Sequence, residues 1–361
     1  MSALLEAHPR STLSSRPVLA LDLGGTQIRA AVIQADGTRL ARTAIPTPIA
    51  DGPNAVVAAC LDALHSARSA VPASVEASLW GVGVSAPGPI DRDRGVILEP
   101  PNMGPAFHDI PLGDLVAAGA GLPAVVDRDT NVAALGEQAF GAGRGCADFL
   151  YLTVSTGIGG GVIAGGRLFP GPDGLAGELG HVPVELEGPT CGCGGRGHLE
   201  AVASGTALAR DARAAIEADA SPFLARRAAT GVDVTARDVA DGEDAGDPTC
   251  IALMARARRA IATACVGFVN VFNPHRIIIG GTIAQTQGDR LLGPIRQAIR
   301  DETFRGAAAR VEVLPPELGP DVSLAGAHPL VSTRLSVADL LPPRARDQAA
   351  DPPKPTPIPS A

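Results

Sequence analysis

The chain is expected to fold as two copies of one α/β domain that face each other across a cleft. Two observations point to the duplication. An apolar run at 18–22 leads into Asp22-Leu23-Gly24-Gly25-Thr26 and a second run at 28–34; a run at 149–154 leads into S-T-G-I-G-G-G and a further strand-like segment from Val162. Such strand, glycine turn, strand units open each half, and strand-like and helix-like segments alternate after them. A third observation is size: 361 residues, 45% of them apolar, are enough for two cores.

Taken in order, Gly37 after Asp36 marks a hairpin turn beyond the second run. Residues 54–68 have the pattern of an amphipathic helix, and 79–85 (LWGVGVS) form a strand running into A-P-G-P-I-D. A strand at 123–127 precedes a helix at 131–140. After the second glycine turn, 204–247 reads as helical, with G-E-D-A-G-D-P as an exposed loop. A long helix at 251–272, a buried strand at 276–279 ending in G-G-T-I, and a strand at 311–314 complete the pattern. Residues 1–16 read as a flexible tail, and the Pro-rich, charged residues 341–361 as a disordered one.

Net charge is −8 and no basic cluster stands out, which argues against a nucleic-acid partner. The first seventeen residues lack a signal-peptide apolar run, and no uncharged apolar stretch of about eighteen residues would span a membrane. Six cysteines in a chain of this length are no disulfide framework, so a cytoplasmic setting is expected.

Two kinds of site are legible. The first is a phosphate cradle. In the first turn Gly24 and Gly25 let backbone N–H groups approach an anion, and Thr26 adds a hydroxyl. Asp22 at the strand end suits water-mediated Mg²⁺ binding, and Arg29 suits a terminal phosphate, although the turn alone reads equally well as an ordinary hairpin. The second turn repeats the design with Ser155, Thr156, Gly157, Gly159 and Gly160; Gly280 and Gly281 follow a buried strand and suit a nucleotide. Neither G-x-x-x-x-G-K-[ST] nor, after the first strand, G-x-G-x-x-G occurs, so the chain is neither a P-loop nor a Rossmann protein. The second site is a metal staple. His181, Cys191, Cys193 and His198 supply two imidazoles and two thiols in one glycine-rich stretch, the donor set of a closed tetrahedral zinc site. A Cys191–Cys193 disulfide would close a strained small ring. Glu178 and Glu200 flank the four donors.

Taken together, D-L-G-G-T-Q-I-R-A, S-A-P-G-P-I-D with Pro101-Asn102, Asp129-Thr130-Asn131-Val132-Ala133, T-V-S-T-G-I-G-G-G, E-L-G-H and C-G-C-G-G-R-G-H-L-E resemble the motifs of the ROK family (repressors, open reading frames, kinases) within the sugar kinase and actin-like ATPase superfamily. The resemblance covers about residues 17–340. It implies duplicated ribonuclease-H-like domains around a central cleft: an N-terminal domain of 17–128 plus about 322–340, and a larger C-terminal domain of 129–321 with the zinc loop. It implies ATP and Mg²⁺ as catalytic partners and structural Zn²⁺, with Asp129 as the base that accepts a sugar hydroxyl proton. The alternative role for Asp129 is a cap for the helix that follows. Asn102, Glu178, His181 and Glu200 are implied as sugar contacts, with His181 giving one nitrogen to zinc and the other to the sugar. A homodimer or higher homo-oligomer is also implied.

Two positions depart from the family pattern. His198 stands where the third cysteine of the zinc motif is usual, and Arg128 where an asparagine usually contacts the sugar. Arginine is donor-only and permanently charged, so Arg128 is expected either to contact a different sugar, such as an anionic or acylated one, or to crowd out glucose, and to lower the pKa of Asp129. The resulting expectation is an ATP-dependent hexose kinase, glucokinase-like, acting at the 6-hydroxyl. The alternatives are a kinase for N-acetylglucosamine or N-acetylmannosamine and a non-catalytic sugar-binding regulator. Family repressors carry a helix-turn-helix domain before the first phosphate turn, and the roughly twenty residues before Asp22 lack that pattern.

Overall fold

The computed structural model describes residues 14–100 and 103–336, so the expected tail at 341–361, most of the one at 1–16, and Asn102 lie outside the described residues. Two five-stranded mixed sheets organise the rest. The strands are β1 (Val18–Leu23), β2 (Gln27–Ile33), β3 (Arg39–Pro46), β4 (Val82–Ala86), β5 (Ile90–Asp91), β6 (Val96–Ile97), β7 (Ala124–Arg128), β8 (Phe149–Val154), β9 (Ile158–Ala164), β10 (Arg167–Leu168), β11 (Arg276–Gly280) and β12 (Glu312–Leu314).

The first sheet has the order β3-β2-β1-β4-β7 and the second β10-β9-β8-β11-β12. In each, three strands run as antiparallel neighbours and two more add in parallel: β1 pairs antiparallel with β2 and parallel with β4, while β8 pairs antiparallel with β9 and parallel with β11. This shared topology is the duplication expected from the two glycine turns. The small β5–β6 hairpin stands apart.

The central strands are buried on both faces, which explains their continuous apolar runs: every residue of β1 and of β4 is buried. Helix Pro53–Ser69 covers one face of the first sheet with Val56, Cys60 and Leu64. Helix Pro248–Phe272 does the same for the second with Met254, Ile261, Cys265 and Phe268.

The last described helix, Val322–Arg334, packs between the two halves of the core. Leu324, Ala327 and Val331 pack on Val18, Ala20 and Trp80 of the first half, and Val322 and Leu330 pack with Val132, Phe149 and Ile278. Glycines let it lie close against helix Asp129–Phe140: a Cβ on Gly326 would sit 1.8 Å from the Val132 carbonyl oxygen, and one on Gly136 2.6 Å from that of Val322.

A loop expected from the sequence is helical instead. Helix Ala236–Asp244 takes in Gly242, Glu243 and Asp244, which were expected in a loop. Gly242 is buried where a Cβ would meet Cys250 Sγ at 2.4 Å, so the glycine serves close helix packing rather than a turn. Glu243 pairs with Arg258, and the turn itself falls at Gly246, whose φ is +79°.

Candidate active site

Strand β2, which follows the first glycine turn, meets the second turn and the helix that starts with Asp129 in one cleft. It has a volume of about 270 Å³, and Arg29, Asp129, Ser155, Gly281 and Thr282 are among the residues that line it. The first turn is closed by the Gly24 amide donating to the Gln27 carbonyl at 3.0 Å, and Gly24, Gly25 and Thr26 span the gap between β1 and β2. The second is closed by the Ser155 amide donating to the Gly157 carbonyl at 2.9 Å, with the Ser155 and Thr282 hydroxyls 2.9 Å apart. Thr156 is exposed beside them. Gly281 adopts φ +93°, and a Cβ there would lie 2.4 Å from the Val154 carbonyl oxygen, so only glycine fits this cleft-facing corner.

Gly159 and Gly160 do not lie in the turn. They belong to β9, where a Cβ would press on Thr130 at 2.8 Å and on Leu179 at 2.5 Å respectively. Their missing side chains are accounted for by packing within the strand. Gly280 is likewise the last residue of β11, 2.8 Å from the Tyr151 hydroxyl by the same measure.

Asp22 is buried at the end of β1, and both of its oxygens are engaged. Arg29 donates to Oδ2 at 2.9 and 2.6 Å, and the Ser85 hydroxyl donates to Oδ1 at 2.7 Å. Arg29 also donates to the Pro320 carbonyl, which fixes its guanidinium at the cleft wall.

Asp129 is the first residue of helix Asp129–Phe140, so the side chain lies within the first turn rather than capping a helix begun at Asn131. Its Oδ1 accepts from the Thr130 amide at 2.7 Å. The carboxylate opens toward the cleft, yet its crowded protein surroundings withdraw it from water. That desolvation, reinforced by the charges of Asp22 and Glu178, pushes its pKa up to about 6 from 3.8. The Thr130 amide and Arg128 pull the other way, the arginine lowering the pKa as expected, but both are outweighed.

Arg128 itself is buried. Its guanidinium pairs with Glu178, donates to the Ala176 carbonyl, and approaches Asn131 Oδ1 at 3.4 Å. Its aliphatic stem runs past Gly88, where a Cβ would meet Cδ at 2.8 Å, and its guanidinium past Gly177. Arg128 therefore bridges the loop after β4 to the loop before Glu178. Behind it lies Asp127, which the sequence reading passed over: it accepts from Arg92 at 2.7 Å, from Asn131 at 2.8 Å and from the Arg128 amide at 2.8 Å. The alternation of charge in D-R-D was the available signal.

Next to Glu178 the four metal donors converge. His181, Cys191, Cys193 and His198 place ligand atoms all within 4.8 Å of one another. Cys191 Sγ lies 3.6 Å from His181 Nδ1, and Cys193 Sγ 3.2 Å from His198 Nδ1. Tetrahedral zinc with bonds of about 2.3 Å to sulfur and 2.0–2.1 Å to nitrogen separates such atoms by about 3.6 Å, so the donor set fits the ion. The loop is folded tightly enough to need its glycines: Gly197 has φ +66°, and a Cβ there would lie 1.6 Å from the Glu185 carbonyl oxygen. His181 Nε2 points the other way, 3.9 Å from Glu178 Oε2. Glu200 ties this loop to the second turn, since its Oε2 accepts from the Ile158 amide at 2.9 Å while its Oε1 lies 4.0 Å from Cys191 Sγ.

The ROK family model matches residues 18–334. The chain belongs to the ROK family. Among its relatives, the glucokinase of Thermotoga maritima is 35% identical over 318 residues, covering 88% of this chain and 98% of that one. The N-acetylmannosamine kinase of Shigella flexneri is 32% identical, covering 86% and 96%. The crystal structure of a ROK family glucokinase from Streptomyces griseus, in complex with glucose and AMPPNP, aligns with a TM-score of 0.72 at 32% identity, covering 87% of this chain and 98% of that one. The described helices of this ROK chain include none long and apolar enough to cross a membrane.

Proposed function

We propose that the protein is an ATP-dependent sugar kinase of glucokinase type that transfers the γ-phosphate of ATP to a hexose hydroxyl, the 6-hydroxyl in the leading reading. The observation that carries this is the placing of Asp129 in the same cleft as Arg29, Ser155 and Thr282. A base raised to a pKa of about 6 is ionised at neutral pH yet basic enough to take a hydroxyl proton. The acceptor oxygen attacks the γ-phosphorus, the bond to the β,γ-bridging oxygen breaks, the hydroxyl proton goes to Asp129, and ADP leaves.

In this reading the amides and hydroxyls of the 24–26 and 155–157 turns cradle the phosphates, and Gly281 leaves room for the nucleotide. Mg²⁺ bound with ATP, near Asp22, would neutralise the phosphate charge. His181, Cys191, Cys193 and His198 would hold a structural zinc, and the loop so fixed would turn His181 Nε2 and the Glu178 carboxylate toward the acceptor, with Glu200 on the same wall. Glucokinases at 33–36% identity over most of the chain support the acceptor class.

A second reading, an N-acetylated amino-sugar kinase, draws on Arg128. Its pairing with Glu178 changes the hydrogen-bonding groups left for the acceptor. A coupled ADP-release assay over glucose, N-acetylglucosamine, N-acetylmannosamine, mannose, fructose and allose tests both. Glucose with the highest kcat/KM supports the first reading, an N-acetylated sugar the second, and no sugar-dependent ADP release overturns both.

A further inference from the structure

Helix Asp129–Phe140 carries a second carboxylate that plays no part in the chemistry above. Glu137 lies eight residues after Asp129, about 12 Å along the axis at 1.5 Å per residue. It is fully buried. Three backbone N–H groups satisfy it: Ala142 donates to Oε2 at 2.7 Å, Glu317 to Oε2 at 3.2 Å, and Leu318 to Oε1 at 3.1 Å. Ala142 belongs to the turn that ends the helix, but Glu317 and Leu318 are some 180 residues further on. Gly141 is shaped to this arrangement, since a Cβ there would lie 2.1 Å from Oε2.

The segment pinned by Glu137 is a wall of the cleft. Gly319 and Pro320 line it opposite Ser155 and Thr282. The Pro320 carbonyl and the Asp321 carboxylate both hold Arg29, the latter at 3.4 Å, and Arg29 in turn grips Asp22. The short segment 317–321 is therefore tied at one end to Glu137 and at the other to Arg29, the arginine that lines the cleft. We infer that Glu137 is a positioning residue for nucleotide binding: it holds the 317–321 wall, and through it Arg29, in register with the helix that presents Asp129. The inference rests on the kinase reading and adds a residue outside the cleft to it.

Glutamine tests this because it keeps the shape and loses one acceptor. Whichever way its amide turns, an NH₂ group faces at least one of the three backbone N–H donors. Calorimetric titration of AMPPNP with Mg²⁺ into the wild-type chain and Glu137→Gln should show affinity falling about tenfold, with KM for the sugar changed less than twofold in the coupled assay. Equal losses in nucleotide and sugar affinity, or an unchanged AMPPNP affinity in a folded variant, overturn the inference. A wild-type chain that binds AMPPNP but turns over no sugar overturns the kinase reading instead. Should Glu137→Gln not fold, hydrogen exchange on the wild-type protein decides: the Glu317 and Leu318 amides must be protected as strongly as that of Ala142, and exchange at open-loop rates refutes the role.

Discussion

Replacing Asp129 by asparagine should do two things at once, abolish turnover and stabilise the protein, and the second should depend on pH. The carboxyl has a folded pKa of about 6 against an ordinary 3.8. A raised carboxylate pKa means that folding favours the protonated form. Its contribution is fully favourable below pH 3.8 and is lost as pH rises through 6, leaving an ionised group in a site that resists ionisation. At 1.36 kcal/mol per pKa unit the full difference would be about 3 kcal/mol, and because the carboxylate opens to the cleft, solvent screening reduces this to on the order of 1 kcal/mol. Asparagine has no charge to desolvate. Denaturant titrations should therefore find Asp129→Asn more stable than wild type by about 1 kcal/mol at pH 8, with the gap closing toward pH 4. Turnover at pH 8 should fall by about 10²–10⁴-fold with sugar affinity nearly intact. The wild-type kcat/KM should lose half its value near pH 6 and fall about tenfold per pH unit below that. Wild-type turnover in the variant would remove Asp129 from the base role. A stability gap independent of pH, or of opposite sign, would refute the account of its ionisation.

Three further outcomes follow from the site. Arg128→Asn frees Glu178 and restores a small amide beside the acceptor, so KM for glucose should drop at least threefold with KM for ATP unchanged; unaltered glucose kinetics would show that the arginine does not govern acceptor binding. Metal analysis of the purified chain should find one zinc per molecule, and Cys191→Ser should lose it and lower the thermal midpoint by several degrees; full stability without metal would dismiss the staple. Gly160→Ala places a methyl 2.5 Å from Leu179 Cδ1 in a packed strand and should cost about 1–3 kcal/mol by thermal unfolding, whereas a cost near zero would return Gly160 to the list of phosphate contacts.

What the sequence conveyed was chiefly local. β8 was legible to the residue because an apolar run is bounded on both sides by turn-forming residues. β3 escaped notice because Arg39–Pro46 is an edge strand with charged residues and little burial, so it lacks an apolar signature. Glycine misled twice. At Gly159 and Gly160 it reads as a phosphate loop, and at Gly242 as a surface loop, yet in all three places it admits a neighbouring side chain. Nothing in the local sequence separates a glycine needed for backbone freedom from one needed for closeness. The donor-only character of Arg128 was legible, but its partner Glu178, 50 residues away, was not. The same holds for Glu137, whose partners at 317 and 318 are joined to it only by the fold.

Helix Val322–Arg334 completes a sheet whose first strand begins at Val18. At ribosomal rates of about 5–20 residues per second, that strand waits roughly 15–60 s for its cover while the intervening 300 or so residues are made. During that interval Val18, Ala20 and Trp80, with Ala31 and Ile33 beside them, form an apolar face that lacks its helical cover. The second sheet also packs on this helix, through Val322 and Leu330, but its last strand ends at Leu314, so the cover follows almost at once. The half of the molecule made first is thus the half left open longest, and the N-terminal sheet of a nascent chain has the longest interval in which to misassemble.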